Sequence, residues 1–328
     1  MVCERCRHRT CAPYNANVIP SSPFGPRLVA VVAMLTGVYH LSRRRTQQLL
    51  RELFGLTVSL GALSSMEARA SHALKAATEE AQAEVESAGV KHTDSTTWLL
   101  ADVPLSLWTL ATASATVYRI FVNGRRETIR PLFGGANGIL VSDRADVFSF
   151  GSMKLRQICH AHLIRRFVSF SERDGPSKSI GRELLDLSAI IFEYWHGFKA
   201  GKLTRAQLNT LMHPVQRQFE AALERGVAIT VSRLSGSCAD ILAHREALWT
   251  FVMNEGVEPT NNHAELQLRS LVLWRRVSFG CQSERGLRFV ERIMIVAQTA
   301  RKQGKRASGL HRSLRSGARR RGVTSGAA

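Results

Sequence analysis

The sequence predicts an α/β fold, and three observations carry that prediction. Residues 89–155 have the Thr, Val, Trp and Tyr texture of strands, helical periodicity precedes them, and the long stretch 156–255 returns to helix before a last amphipathic helix. At 328 residues the chain is long enough to bury a large core without disulfide staples. A hydrophobic share of 45% and a charged share of 22% are those of a folded globular protein, which excludes a disordered chain. The formal charge of +19 is not ordinary, and it asks for a polyanionic partner.

The first segment, 1–26, is rich in Cys, Pro, Asn and Ser. "CERCRHRTC" places Cys3, Cys6 and Cys11 close together, half of the two cysteine pairs a zinc ribbon needs, so it reads as a partial zinc-ribbon-like segment with possible Zn²⁺, followed by the linker "VIPSSPFGP". Residues 27–88 are helical. "LSRRRTQQLLRELFG" has Ser42 as N-cap and Gly55 just past its end, with Leu49, Leu50 and Leu53 as its apolar side. "VSLGALSSMEARASHALKAATEEAQAEVESAG" continues to Gly89, with Leu63, Met66, Ala70, Leu74 and Ala77 at helical spacing. Two helices joined by a short turn can read a DNA groove, but without identifiable base-reading side chains they are expected to serve as a packing unit.

Residues 89–155 hold the strands "VKHTDSTTWLL", "LWTLATASATVYRIF" and "GILVSDRADVFSF", with "RETIRPLFGG" a brief helix before the last. The stretch 156–255 is too long for a connection and is predicted to be an all-helical insertion. Near its start, "QICHAHLIRRF" has the Cys159-x-x-His162 spacing of a metal ligand pair. No second pair accompanies it, so a packed cysteine beside a hydrogen-bonded histidine is the reading that spacing favours. In 256–300, "EPTNN" supplies helix-start signals, and Ala264, Leu268 and Leu271 form a packing stripe with Glu265 beside it. Residues 301–328 carry nine Lys or Arg and no acid, a tail expected to be disordered; without it the rest still holds +10. The longest apolar run, Leu28 to Leu41, is too short to span a bilayer, and no leader opens the chain, so a cytoplasmic protein with free thiols is expected.

Metal-assisted phosphoryl transfer needs carboxylates from different elements meeting at one point, because Mg²⁺ takes hard oxygen ligands. Asp94 among strand formers, Asp143 after an apolar strand and Glu265 on a helix are such a set. Each also has a plain reading: the aspartates as turn or cap residues, and Glu265 as half of an exposed i,i+4 pair with Arg269.

At "SPFGPRLVAVVAMLTGVYHLSRRR", "HTDSTTW", "GILVSDRADVF", "CHAHLIRRF" and "VEPTNNHAELQLRSLVLWRRVSFGCQSERGLRFVERI", the sequence resembles the bacterial transposases of insertion sequence 66 type, from about residue 20 to 303. The resemblance implies a ribonuclease H-like mixed sheet with flanking helices, its first part at 89–155 and its last helices at 256–300. It further implies a DDE-type transposase in which Asp94, Asp143 and Glu265 hold Mg²⁺ or Mn²⁺ and catalyse DNA cleavage and strand transfer. On the same ground, Asn261, Asn262 and Arg269 are candidates for positioning or phosphate contact, and Arg275, Arg276 and Arg285 for gripping DNA. Transposon ends and target DNA are the expected partners, in a homo-oligomeric complex. The chain departs from the family pattern at Ser95, where Glu is usual, and at His160, where Trp is usual, and it lacks the upstream region with which members generally begin. An inactive DNA-binding relic and a metal-dependent nuclease without strand transfer are therefore the rival expectations.

Overall fold

A computed structural model describes residues 4–8, 23–133, 137–149 and 151–305. The chain divides into two compact units. One comprises 1–82, 100–102 and 276–328, and the other comprises 83–99 and 103–275.

The first unit is helical. It contains α1 (Pro26–Ala33), which runs on into a π-helical turn at Met34–Val38, then α2 (Arg43–Phe54), α3 (Leu60–Ala73), the start of α4 (Lys75–Ser87) and α13 (Glu284–Lys302). The expected caps of α2 are present: Ser42 Oγ accepts the Arg45 N–H at 3.2 Å, and Gly55 takes φ +64°, the left-handed conformation that ends helices. Leu50 is buried, but Leu53 is 70% exposed, so the apolar side of α2 is narrower than the leucine spacing suggests. The helix expected to run unbroken to Gly89 is in fact two, α3 and α4, interrupted at Leu74. Leu63, Met66, Ala70 and Leu74 form its buried stripe as expected, whereas Ala77 is only half-buried. Glu67, buried within this unit, is held by Arg43 through bonds of 2.6 and 2.9 Å to one carboxylate oxygen, which offsets the cost of burying its charge.

The second unit is built on a five-stranded mixed sheet in the order β3-β2-β1-β4-β5. Its strands are β1 (Val90–Leu100), β2 (Val103–Ala111), β3 (Thr116–Phe121), β4 (Ile139–Ser142) and β5 (Arg156–Ile158). Ala101 and Asp102, both with positive φ, make the two-residue turn from β1 to β2. β2 and β3 pair antiparallel, while β1 with β4 and β4 with β5 pair parallel. The short helix α5 (Arg126–Ile129) and a 3₁₀ turn at Arg130–Phe133 precede β4, where "RETIRPLF" predicts a helix.

β5 corrects the expectation that helix begins at 156. Its three residues are too few for an alternation signal, and it opens on Arg and Gln. Yet all three are buried, since β4 pairs them and the Gln157 amide bridges Leu248 O and the Phe251 N–H at 3.1 and 2.8 Å. Helices α6 (His160–Ser171), α7 (Pro176–Lys199), α8 (Arg205–Ala228), α9 (Ser235–Ala243), α10 (Arg245–Leu248) and α11 (Thr250–Met253) then form the helical stretch. Phe167, Leu184, Trp195, Phe219 and Phe251 fill its core, which is continuous with Val141 and Ile158 of the sheet. Hence the insertion is packed onto the strands that carry the site. The unit closes with the greater part of α12 (Asn262–Ser278). Among the described residues, no helix is long and apolar enough to cross a membrane.

Candidate active site

The parallel pairing of β1 and β4 brings two of the predicted acids together. Val90, Lys91 and His92 align with Ile139, Leu140 and Val141; Asp94 and Asp143 each follow two residues later, on neighbouring strands. Asp143 lies just past the end of β4, and its Oδ1 accepts the Ala145 N–H at 3.0 Å. Asp94 Oδ1 accepts the N–H of Ser95 at 2.8 Å.

The period of two along β1 places His92, Asp94, Thr96 and Trp98 on one face. α12 covers that face: His263 lies 5.0 Å from His92 between ring centres, Arg275 donates to Thr96 Oγ1 at 3.2 Å and to Thr97 O, and Trp274 meets Trp98 edge-on at 6.1 Å. Ala264, Leu268 and Leu271 are buried, as their helical spacing predicts. The start of α12 is stitched to the sheet. Asn261, 1% exposed, donates its side-chain N–H to Thr93 O at 2.7 Å and its backbone N–H to Cys159 Sγ at 3.2 Å. Cys159 in turn donates its backbone N–H to Ser142 O at 2.9 Å, and His160 donates its own to Pro259 O at 2.8 Å. Four bonds thus lock β1, β4 and the N-termini of α6 and α12 together.

Glu265 projects from the first turn of α12. Its ionisable neighbours come from α6: His162 Nδ1 is 3.8 Å from one carboxylate oxygen and Arg165 3.7 Å from the other. Asp94 feels the charges of both other acids. Burial is the main cause that pushes the Asp94 carboxyl up to about 6; the charges of Glu265 and Asp143 add to it, while the Ser95 N–H and His162 oppose it. The His162 imidazole is raised as well, first through its hydrogen bond with Cys159 and further by the charges of Cys159 and Glu265, against the effect of burial. Behind β4, the buried Arg156 guanidinium donates to Asp143 O at 3.1 Å. An acid whose proton is held up to about 6 by burial and neighbouring carboxylates fits a divalent cation, which would neutralise the same charges.

The remaining predicted residues divide by exposure. Asn262, Arg269 and Arg276 are exposed. Arg275 is half-buried against β1, and Arg285 donates to Ser64 Oγ at 2.6 Å in the helical unit. Cys6 is exposed, and Cys3 and Cys11 lie outside the described residues. Sequence reasoning missed Arg165, although it lies three residues after His162 and so on the same helix face. Arg156 had no signal, because a buried arginine looks like a surface one in sequence. Among the described residues, Cys159, His162 and Glu265 form a group whose ligand atoms all lie within 4.8 Å of one another.

No curated protein and no solved structure matches the chain. Residues 21–289, most of its length, match the profile described as Transposase IS66 family. With that match over the sheet, the helical stretch and α12, the chain belongs to the IS66 family of transposases.

Proposed function

We propose that this transposase cleaves and joins DNA by DDE-type phosphoryl transfer, with Asp94, Asp143 and Glu265 as its cation-binding acids. The observation that carries the reading is the placement of these three on two adjacent, parallel-paired strands and the helix laid over them, where the charges of Asp143 and Glu265 both reach Asp94. A divalent cation bound to those carboxylates supplies Lewis-acid polarisation of the phosphodiester and a more acidic nucleophile. The protein's own part is to hold the acids in register. The Ser95 and Ala145 N–H groups fix the two aspartates. Asn261, buried and bonded to β1, acts by positioning the first turn of α12. The exposed Asn262, Arg269 and Arg276, together with Arg275 and Arg285, are proposed to contact DNA phosphates.

Replacing Asp143 with Asn tests this reading. Mg²⁺-dependent cleavage of element ends should fall by several orders of magnitude while DNA binding persists. Unchanged cleavage in that variant refutes the assignment. In the unsubstituted chain, cleavage without joining would assign a nuclease, and binding with neither would assign a DNA-binding remnant.

A further inference from the structure

Cys159 and His162 stand at the start and in the first turn of α6, and the i,i+3 spacing points both side chains to one side of the helix, where Glu265 of α12 arrives. His162 Nδ1 and Glu265 Oε1 are buried at the atom level, and apart from the pull of the Cys159 thiol on the imidazole neither meets a hydrogen-bond partner. They lie 3.8 Å apart, too far for such a bond. Two ligands of one tetrahedral cation, each about 2.0–2.2 Å from it, stand roughly 3.3–3.6 Å apart. Cys159 Sγ already accepts the Asn261 N–H at 3.2 Å, the kind of outer contact that orients a thiolate ligand. Arg165 takes the second oxygen of Glu265 at 3.7 Å and approaches His162 Nε2 only at 3.5 Å, the outer limit for a hydrogen bond, so Nδ1 and Oε1 stay available. The His162 and Glu265 side chains are each about a third exposed, which leaves room for water as a fourth ligand.

We infer that Cys159, His162 and Glu265 form a second cation site, suited to a borderline-soft ion of the zinc class, which competes with the Asp94 and Asp143 site for the same glutamate. The donor set decides the class: sulfur, imidazole and one carboxylate suit Zn²⁺ or Co²⁺, whereas Mg²⁺ prefers oxygen alone. Occupancy would turn Glu265 toward α6 and away from the strand acids, so that zinc restrains strand cleavage; this consequence rests on the function proposed above, and the binding itself does not.

The probe is Co²⁺ titrated into the full-length chain carrying Cys3→Ser, Cys6→Ser and Cys11→Ser, which removes the N-terminal thiols as a source of signal. A thiolate-to-cobalt charge-transfer band should appear and be displaced by Zn²⁺. It should persist in the Asp94→Asn and Asp143→Asn variants. Cys159→Ser should abolish it, and His162→Gln should weaken Co²⁺ binding by more than about tenfold. No band in the triple-Ser chain, or a band that survives Cys159→Ser, overturns the site. In cleavage assays with Mg²⁺, micromolar Zn²⁺ should inhibit the unsubstituted protein more than the His162→Gln protein; equal inhibition overturns the competition while leaving the cobalt result intact. Full activity in Asp143→Asn would instead refute the proposed function and leave the cobalt result standing.

Discussion

The Asp94 carboxyl has the most informative titration in the molecule. Raised from 3.8 to about 6, it binds its proton more tightly folded than unfolded, so ionising it costs stability as pH rises through that window. Asp94→Asn should therefore stabilise the cation-free protein at pH 7.5, by on the order of 1–2 kcal/mol after allowance for solvent screening, and have little effect at pH 3.5. Thermal melts of both proteins at the two pH values test this; an equal gain at both would trace the effect to packing. His160 works in the opposite sense. Fully buried among Phe219, Trp249 and Phe251, with Nε2 at 2.8 Å from Leu248 O, it is held neutral with its pKa lowered to about 4, and it costs stability as pH falls from 6.5 toward 4. This aromatic box gives a physical reason why a ring other than Trp is accommodated at 160. The sequence offered the three acids as candidates, as residue types in suitable settings. Their coupling was not legible, because it depends on a strand register and a helix crossing that no local pattern encodes.

At the scale of elements, α6 carries His162 with Cys159 as its N-cap, and a glycine lets it pack close against α7. A Cβ at Gly181 of α7 would come within 2.4 Å of Ser171 N and 2.8 Å of Phe170 C, both backbone atoms of α6 that cannot swing aside. Gly181→Ala should push the two helices apart and cost about 1–3 kcal/mol, seen as a lower unfolding midpoint in urea. A neutral result would mean that α6 shifts freely. An isolated glycine inside a helical pattern is visible in "SIGRELL", but its close approach is not. Strand β1 was legible because "VKHTDSTTWLL" is rich in β-formers, Thr, Val and Trp. β5 was hidden by its length, and the break at Leu74 by a periodicity that runs through it.

For the whole molecule, the excess of 45 basic over 26 acidic residues sets how it meets DNA. If at least six phosphates are neutralised, the affinity for non-specific duplex should drop by about 10³-fold or more between 50 and 200 mM salt. Fluorescence anisotropy across that range measures the slope, and a flat response would remove phosphate contact as the basis of binding. Arg276→Ala should lower affinity evenly across sequences and reduce the slope by about one contact. Charge is a bulk property and was fully legible. The return of residues 276–305 to the N-terminal helices was not, since that grouping depends on packing between segments far apart in the chain.

The Asn261 side chain bonds Thr93 across 168 positions of sequence, and this has a consequence for biosynthesis. While the chain is being translated, both strand acids are made long before the helix that faces them. A ribosome that stalls, or a message that ends early, therefore releases a product whose sheet has no α12 to cover it. On the function proposed above, such fragments should cut nothing, so premature termination would leave no partly active nuclease.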